Sequence, residues 1–255
     1  MGKHTEGRAL PAKPAKISFC TTCKNRLWQL SQTIPSNLAA IEADGYSEIV
    51  LVNYNSQDGL DSWIRQFQSA IEAGTLRYVH ERSDPHFHMS KAKNLAHFAA
   101  TGDYVVNLDA DKFIGDTIKT WRRFWQDNPD TIIHGFCGKG SDGTSGRVGM
   151  AKRHFLALGG YDEDMLPMGY DDWDLIHRAE ASGLDFIRLA QRGIAAIRND
   201  HAERIRYSGT GLPQKTMGKL NIARSQESIR IGRLVANRER IGRPVLINFS
   251  TELEL

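Results

Sequence analysis

Two carboxylates one residue apart, Asp109 and Asp111, follow an apolar run that ends at Leu108. Residues two apart on an extended chain point to the same side, so both carboxylates can face one hard divalent cation. A cation held there can neutralise a diphosphate leaving group. Because Asp-x-Asp also occurs in many turns, the surrounding sequence has to show whether this pair is a cation site or part of an ordinary turn.

A second acidic cluster lies downstream. Gly159–Asp164 reads Gly-Gly-Tyr-Asp-Glu-Asp and Gly169–Asp174 reads Gly-Tyr-Asp-Asp-Trp-Asp, which places six carboxylates within thirteen residues. Such crowding is unfavourable unless a cation, hydrogen bonds or a helix N-terminus relieves the repulsion. Asp171, Asp172 and Asp174 begin a predicted helix, where capping accounts for one or two acids. We therefore expect at least one of the three to have a functional role.

The elements that would position these acids alternate between strands and helices. Hydrophobic periodicity predicts strands at Lys16–Cys20, Glu48–Asn53, Thr75–His80 and Tyr104–Leu108, and helices at Asn25–Ile41, Asp58–Ala73 and Ser90–Ala100. Pro35 is expected to kink or split the first helix. This alternation indicates a mostly parallel sheet with helices on both faces, in which ligands bind beyond the carboxyl ends of the strands. Three polar clusters are predicted at that edge: Thr21–Arg26, Asn53–Asp58 and Asp109–Asp111.

The pattern changes after Asp111. It predicts helices at Ile114–Asn128 and Asp171–Ser182, strands at Thr131–Phe136 and Arg147–Met150, an extended segment Leu184–Ala190 and a basic helical segment over 213–240. The Gly/Ser-rich segment Gly138–Gly146 lacks the Gly-Lys-Ser/Thr ending of a phosphate-binding loop, so we expect a mobile loop there.

Composition and charge limit the classes of partner. The chain has 255 residues, of which 40% are hydrophobic and 25% charged, and a net charge of +3. We expect one large α/β domain or one domain with a small appendage, and no nucleic-acid partner. Residues 202–243 hold ten Lys/Arg against three Glu. This excess suits an anionic ligand or a membrane surface, and equally a solvated helix face.

The sequence predicts a cytoplasmic protein. No apolar run approaches the roughly 18–20 residues that span a bilayer. Residues 1–15 are rich in Lys and Pro, which indicates a flexible lead-in rather than a secretory signal. Cys20, Cys23 and Cys137 do not make a disulfide framework. Cys20 and Cys23 have the spacing of a redox motif or of half a zinc site. The local sequence is not thioredoxin-like and no second pair completes a zinc site, so we expect a structural or incidental role.

The Asp-x-Asp motif after the fourth strand is followed by Gly-Gly-Tyr-Asp-Glu and then by Gly-Tyr-Asp-Asp-Trp-Asp before a helix. Motifs in this order resemble those of nucleotide-sugar glycosyltransferases of the GT-A fold. The N-terminal half is similar to family 2. The second half is especially similar to the C-terminal region of β-1,4-galactosyltransferases and polypeptide N-acetylgalactosaminyltransferases, and Lys24, Asn25 and Arg26 resemble the Arg-Asn-Arg of the galactosyltransferases. The resemblance implies an α/β, Rossmann-like catalytic domain over 16–201. Its nucleotide-binding half would be 16–111 and its acceptor-binding half 112–201, with a lead-in at 1–15 and a basic helical extension at 202–255.

The resemblance also implies roles for single residues. Asp172 matches the catalytic base that deprotonates the acceptor hydroxyl, and Asp171 the acid that holds the acceptor. Asp111 and His201 would bind Mn²⁺ or Mg²⁺, with Asp109 beside the metal or the ribose. Contacts to the donor nucleotide are expected from Thr21, Arg26, Asn53, Lys91, Lys93 and Asp109. Asn53 stands where many of these enzymes carry an acid; an amide can still hydrogen-bond a pyrimidine.

The expected activity is metal-dependent, inverting transfer of a sugar from a nucleoside-diphosphate donor, by default a UDP-sugar, to a hydroxyl of a glycan, a lipid-linked acceptor or a small molecule. A cation for the leaving diphosphate and a carboxylate on the opposite face of the sugar are what this chemistry needs. One alternative is a non-catalytic module that binds sugar nucleotides or glycans. Another is nucleotidyl transfer, which predicts a Gly-rich basic signature in place of Thr21–Arg26. The basic extension could also make peripheral contact with a membrane.

Overall fold

One mixed sheet organises the molecule. The computed structural model describes residues 14–136, 146–192, 196–197 and 205–238. The strands are β1 (Ile17–Cys23), β2 (Glu48–Tyr54), β3 (Leu76–Glu81), β4 (Tyr104–Asn107), β5 (Thr131–Phe136), β6 (Val148–Ala151) and β7 (Asp185–Ala190). Their order is β3-β2-β1-β4-β6-β5-β7. β6 runs antiparallel to β4 and β5, whereas the other neighbours are parallel.

Helices cover both faces of this sheet. They are α1 (Leu27–Asp44), α2 (Leu60–Ile64), α3 (Gln68–Glu72), α4 (Met89–Ala99), α5 (Thr117–Asp127), α6 (Lys152–Ala157), α7 (Asp171–Ala181) and α8 (Gln214–Arg230). Because side chains alternate along a strand, Phe19 of β1 packs in the core with α1 and α5, and Cys20 packs on the other face with α4 and α7. The predicted α/β architecture with helices on both faces is confirmed.

The helix that follows β1 is continuous. Pro35 lies inside α1 on its exposed side and does not split it. A proline in a helix interior costs about 3 kcal/mol, but the opposite side of α1 buries Leu30, Ile34 and Ile41 against the sheet. Burying each such side chain contributes roughly 1.5–3 kcal/mol, so packing outweighs the proline.

Other elements differ from their predicted bounds. The single helix predicted for Asp58–Ala73 is divided into α2, a 3₁₀ turn at Arg65–Phe67, and α3. The rings of Trp63 and Phe67 pack edge to face across that turn, with centroids 5.0 Å apart. α6 was absent from the predicted elements, and the basic segment predicted as helical over 213–240 is helical only as far as Arg230.

The C-terminal helix is part of the folded unit. α8 packs against α7, and Asn221 of α8 accepts a hydrogen bond from Leu166 N (2.8 Å) and donates one to Gly169 O (2.7 Å). These bonds fix the segment that leads into α7. Among the helices that the structure describes, none has the length and apolarity to cross a membrane.

Two of the three cysteines can be placed. Cys20 and Cys23 are free, buried thiols in β1, and burial raises the pKa of Cys23 to about 12. Such thiols are inert packing groups, as a structural role requires. Cys137 lies outside the described residues, as do residues 1–13, 138–145 and His201. The flexible lead-in and the mobile loop therefore stay predictions, and so does the cytoplasmic location.

Candidate active site

A cavity of about 250 Å³ opens at the carboxyl edge of β1 and β4, beside the N-terminus of α7. The two groups of acids found in the sequence meet there, although about sixty residues separate them along the chain. The cavity is lined by charged, aromatic and sulfur-containing side chains, including Lys24, Arg26, Phe87, Met89, Lys93, Asp109, Asp111, Lys112, Met168, Tyr170, Asp171, Asp172, Trp173 and Tyr207.

The Asp109–Asp111 segment is held from several directions. Asn107, the last residue of β4, donates from Nδ2 to Asp109 Oδ1 (3.0 Å) and to Gly146 O (2.8 Å). From α1, Thr33 donates to Ala110 O (2.8 Å). Gly146 has to be small because an added Cβ would lie 2.8 Å from Asp109 Oδ2. These contacts fix the positions of both acids before a ligand arrives.

The two acids differ in their electrostatics. Burial favours protonation of Asp109, but Lys93, Lys112 and the Asn107 amide outweigh it and lower the pKa of Asp109. Burial and the charge of Asp109 together raise the pKa of Asp111, although Lys112 Nζ lies 3.4 Å from Asp111 Oδ1. A repelling pair of this kind is stabilised by added positive charge.

The acids of α7 share a buried lysine. Gly169 and Tyr170 turn the chain into the helix with φ of 94° and 71°, and the first two helical residues are Asp171 and Asp172. Lys93 Nζ, from α4, donates to Asp171 Oδ2 (2.6 Å) and Asp172 Oδ1 (2.7 Å). Glycine accommodates positive φ readily, whereas Tyr170 does so at a cost.

Asp172 has the electrostatics of a proton acceptor. Burial raises its pKa to about 8, Asp171 and Asp109 act in the same direction, and Lys93 opposes them. For Lys93, burial alone would lower the pKa, but Asp171 and Asp172 outweigh it and raise the pKa well above the usual value. The lysine is therefore a permanent cation, while Asp172 can exchange a proton near neutral pH.

The remaining acids of the cluster have structural partners. Arg178 Nε lies 2.8 Å from Asp174 Oδ2, with both side chains almost fully buried. Arg224 of α8 pairs with Asp162 and Asp164, each at 2.9 Å. The amide of Asn94 lies 2.9 Å from Glu163 Oε1. Lysine, arginine and an amide thus relieve the crowding predicted from the sequence.

Only some of the residues predicted to contact the donor line the cavity. Arg26, Lys93 and Asp109 line the cavity, but Thr21, Asn53 and Lys91 do not. The Asn53 amide is buried: its Nδ2 donates to Asp61 Oδ1 (2.9 Å) and Tyr78 OH (2.8 Å), and its Oδ1 accepts from Ser56 N (2.9 Å). Lys91 is exposed and lies 3.5 Å from Asp84. Thr21 is buried on the opposite face of β1 from Thr22, which does line the cavity.

Several residues of the site were not singled out from the sequence. Lys24 was noted only for its likeness to a family motif; its Nζ donates to Tyr54 O (3.1 Å) and Asn55 O (3.2 Å), which ties the end of β1 to the end of β2. Strand alternation could have selected Thr22 rather than Thr21. No local signal marks Tyr207, which approaches the cavity from the segment before α8, where its carbonyl accepts a hydrogen bond from Phe87 N (2.8 Å).

The described acids of the cavity provide part of the ligand set that a metal ion needs. Within the described ranges, no three His, Cys, Asp or Glu side chains are arranged to hold one. Asp109 and Asp111 supply two oxygen ligands at one wall, which suits a hard divalent cation. The chain returns to this wall after β7, since Ile197 N donates to Asp111 O (2.9 Å). His201, the predicted third ligand, lies outside the described residues.

Comparisons with known proteins agree with this geometry. The profile of glycosyl transferase family 2 matches residues 18–178, and no curated protein sequence matches the chain. The mannosyltransferase PcManGT from Pyrobaculum calidifontis, solved with GDP-Man and Mn²⁺, has 18% identity and a TM-score of 0.60 over 87% of this chain and 71% of its own. Residues 1–349 of TarS from S. aureus, solved with UDP-GlcNAc, have 15% identity and a TM-score of 0.63 over 87% and 67%.

Those two structures share the GT-A fold with this chain, as the sequence predicted. The profile match spans β1 to most of α7, so it includes both groups of acids in the cavity. The chain therefore belongs to glycosyl transferase family 2 and is a glycosyltransferase of the GT-A fold.

Proposed function

We propose that this glycosyltransferase transfers a sugar, with inversion, from a nucleoside-diphosphate donor to an acceptor hydroxyl in the cavity between Asp111 and Asp172. The proposal rests on one observation: Asp109 and Asp111, which suit a cation, line the same cavity as Asp172, which suits the acceptance of a proton. Glycosyl transfer with inversion needs both functions, on opposite sides of the anomeric carbon.

Each group has a defined part in the proposed reaction. Asp172 accepts the proton of the acceptor hydroxyl while the acceptor oxygen forms the new bond to the anomeric carbon. The bond from that carbon to the diphosphate breaks, and its electron pair leaves with the diphosphate. Asp171 orients the acceptor. Arg26 and Lys112, both on the cavity wall, supply fixed positive charge for the phosphates.

A divalent cation, Mn²⁺ or Mg²⁺, would neutralise the leaving diphosphate when bound. Asp111 and Asp109 would hold it together with His201. The return of the chain to Asp111 at Ile197, four residues before His201, supports this assignment. The presence of Mn²⁺ in the PcManGT structure supports the choice of metal.

The donor is proposed to be a UDP-sugar, with GDP-mannose as the second choice, because the two related structures hold UDP-GlcNAc and GDP-Man. Because the Asn53 amide already has three partners, we assign recognition of the nucleobase to other groups near the ends of β1 and β2. Lys24 is the polar candidate at that end of the cavity.

A thermal-shift panel of nucleotide sugars, with and without Mn²⁺, tests the donor and the metal together. A ligand present at about 100 times its Kd stabilises the native state by roughly 2.7 kcal/mol, which raises Tm by several degrees in a chain of this size. We expect one nucleotide family to stabilise the protein, and only when Mn²⁺ is present.

Release of nucleoside diphosphate separates an enzyme from a binding module that has lost activity. The proposed transferase should release it slowly from the stabilising donor in Mn²⁺ without acceptor, through hydrolysis, and faster with a suitable acceptor. A protein that binds the donor but releases no diphosphate under any condition would be a sugar-nucleotide-binding module.

We further propose that α8 makes peripheral contact with an anionic membrane. Its exposed residues include Lys215, Lys219, Leu220 and Arg230, the last paired with Glu227, and the exposed apolar residue Ile231 follows the helix. Basic residues beside exposed apolar ones suit the surface of an anionic bilayer. Co-sedimentation with anionic vesicles at two salt concentrations should show binding that weakens as salt increases. Absence of binding at low salt would contradict the contact.

A further inference from the structure

Lys93 connects the two helices that frame the base of the cavity. Its ammonium lies 2.6 Å from Asp171 Oδ2 and 2.7 Å from Asp172 Oδ1, and its side chain is 2% exposed. The same nitrogen lies 5.0 Å from the ring centroid of Tyr161. Lysines are almost never fully buried unless they are paired. This lysine therefore has a specific task inside the site.

The contacts leave one oxygen of Asp172 available. Oδ1 accepts the hydrogen bond from Lys93, whereas no bond from the described part of the chain reaches Oδ2, and Asp172 lines the cavity. A general base whose one end is held by a third group and whose other end faces the substrate is a recurring arrangement in enzymes. Lys93 is the group that holds Asp172 in this way.

We propose that Lys93 is a positioning residue for the transfer reaction: its buried ammonium fixes Asp172 so that Oδ2 faces the acceptor hydroxyl, and its charge favours the ionised form of Asp172. The inference rests on the proposed function, because it takes Asp172 as the base. It also gives Lys93 a different role from the contact to the donor nucleotide that was expected from the sequence.

Electrostatics explain why a fixed cation is needed at this place. Two neighbouring buried carboxylates tend to share one proton unless a positive charge separates them. Asp172 is faced by Lys93 from α4, by Asp171 from its own helix and by Asp109 from the end of β4, with further cations across the cavity at Lys24, Arg26 and Lys112. Lys93 is the only one of these cations with a hydrogen bond to Asp172 in the described structure.

Replacement of Lys93 separates the positioning role from a phosphate contact. Lys93→Gln keeps a hydrogen-bond donor without the charge, and Lys93→Arg keeps the charge. Lys91→Gln is the matched control, since Lys91 lies on the same helix with its side chain 42% exposed. The measurements are kcat and kcat/KM against pH, and the Kd of the donor by calorimetry with UDP-GlcNAc and GDP-mannose in Mn²⁺.

A positioning role predicts that Lys93→Gln lowers kcat by about 10²-fold or more, the usual size of a general-base contribution. The acid limb of the pH profile should move to higher pH. Donor Kd should stay within about threefold, because in this role Lys93 contacts Asp171 and Asp172 and not the donor. Lys93→Arg should recover part of kcat, and Lys91→Gln should resemble the wild type. A weakening of donor binding by about tenfold or more with an unmoved pH profile would identify a phosphate contact and overturn the inference.

An NMR titration makes the inference independent of turnover. The ¹³C carboxyl signal of Asp172, assigned with Asp172→Asn, should titrate at higher pH in Lys93→Gln than in the wild type. An unchanged titration would overturn the inference. If Lys93→Gln fails to fold, Lys93→Gln/Asp171→Asn removes the repelling partner, and Asp171→Asn alone is its reference. A wild type that turns over no donor would contradict the proposed function, while the titration would still decide the role of Lys93.

Discussion

At the scale of residues, the surroundings of the acids divide them by role. Positive charge from Lys93 and Lys112 lowers the pKa of Asp109, whereas burial raises the pKa of Asp111 and of Asp172. Asp109 and Asp111 repel each other, so an added cation would stabilise that pair. Asp172 is held by Lys93 at one oxygen and lines the cavity, and its raised pKa suits proton transfer.

Removal of the base should abolish most of the turnover. Asp172→Asn keeps the shape of the side chain but cannot accept the proton, so we expect kcat to fall by about 10²–10⁴-fold. Asp164→Asn is a suitable control because its side chain is 57% exposed and pairs with Arg224 outside the cavity. If Asp172→Asn folds normally and retains wild-type kcat, Asp172 is not the base.

The pH profile should reflect the raised pKa of Asp172. The base acts in its ionised form, so kcat/KM should increase as pH rises through its pKa and decrease as pH falls below it. Burial places that pKa at about 8, well above the ordinary value of about 3.9 for aspartate. Rates measured between pH 5 and 9 should therefore rise across the neutral range. A profile that is already flat from pH 5 would contradict this assignment.

Stabilisation of the protein by the donor in Mn²⁺ should require Asp111. Asp111→Asn removes a charged oxygen ligand, so Mn²⁺-dependent stabilisation by the donor should disappear, and EDTA should have the same effect on the wild type. Asp116→Asn, which changes an acid a few residues later and outside the cavity, is the control. Donor binding that survives both EDTA and Asp111→Asn would rule out the proposed metal role.

At the scale of elements, the site depends on contacts between segments far apart in sequence. The start of α1 is capped by Asp58 from the β2–α2 loop, whose Oδ2 accepts from Leu27 N (2.7 Å). Asn25, in the left-handed region with φ of 54°, accepts a bond from Gln57 N at 2.6 Å. The loop that carries Lys24 and Arg26 is thus built jointly from two βα connections.

In the second half of the chain, Arg178 likewise connects segments that are distant in sequence. Besides its pair with Asp174, it donates to Leu158 O (3.0 Å), Gly160 O (2.8 Å) and Leu234 O (3.3 Å). It therefore ties α7 to the Gly-Gly-Tyr turn and to the segment after α8. Arg178 and its partner Asp174 form a structural unit next to Asp171 and Asp172.

Arg178→Met should destabilise the whole domain. It leaves the buried carboxylate of Asp174 without its charge partner, which typically costs about 3–5 kcal/mol. Urea denaturation measures the change. The double variant Arg178→Met/Asp174→Leu should recover much of the loss, because an apolar pair can replace a buried ion pair. A single variant as stable as the wild type would contradict the structural role.

The sequence predicted the fold well because hydrophobic periodicity is a local signal. The alternation of strands and helices up to β4, and the placement of Asp109 and Asp111 after β4, follow from it. The partners of the acids are long-range: Lys93 precedes Asp171 by 78 residues. No spacing along the chain could predict that bridge, or that Arg178 and Arg224 would neutralise Asp174, Asp162 and Asp164.

Single-residue choices within a correct segment were less predictable. Thr21 and Thr22 are adjacent in β1, and strand alternation sends only one of them to the cavity. Asn53 and Lys91 lie in segments near the site but have structural partners, Asp61 and Asp84. A polar residue near the end of a strand can therefore bind a neighbouring side chain as readily as it binds a ligand.

At the scale of the whole molecule, both halves of the chain contribute to one cavity. β1 and β4 present Arg26 and the Asp109–Asp111 segment, while α7, braced by α8, presents Asp171 and Asp172. A nucleotide sugar that spans the cavity would have its diphosphate at the first wall and its sugar toward the second. The proposed function requires the nucleotide sugar to bind in this one orientation.

A crystal structure with Mn²⁺ and the donor chosen by the thermal-shift panel tests that claim most directly. We expect the metal on Asp111, the diphosphate beside Arg26 and Lys112, and the anomeric carbon facing Asp172 on the side opposite the diphosphate. A donor bound with its sugar directed away from Asp172, or a diphosphate held without any contact to Asp109 or Asp111, would contradict it.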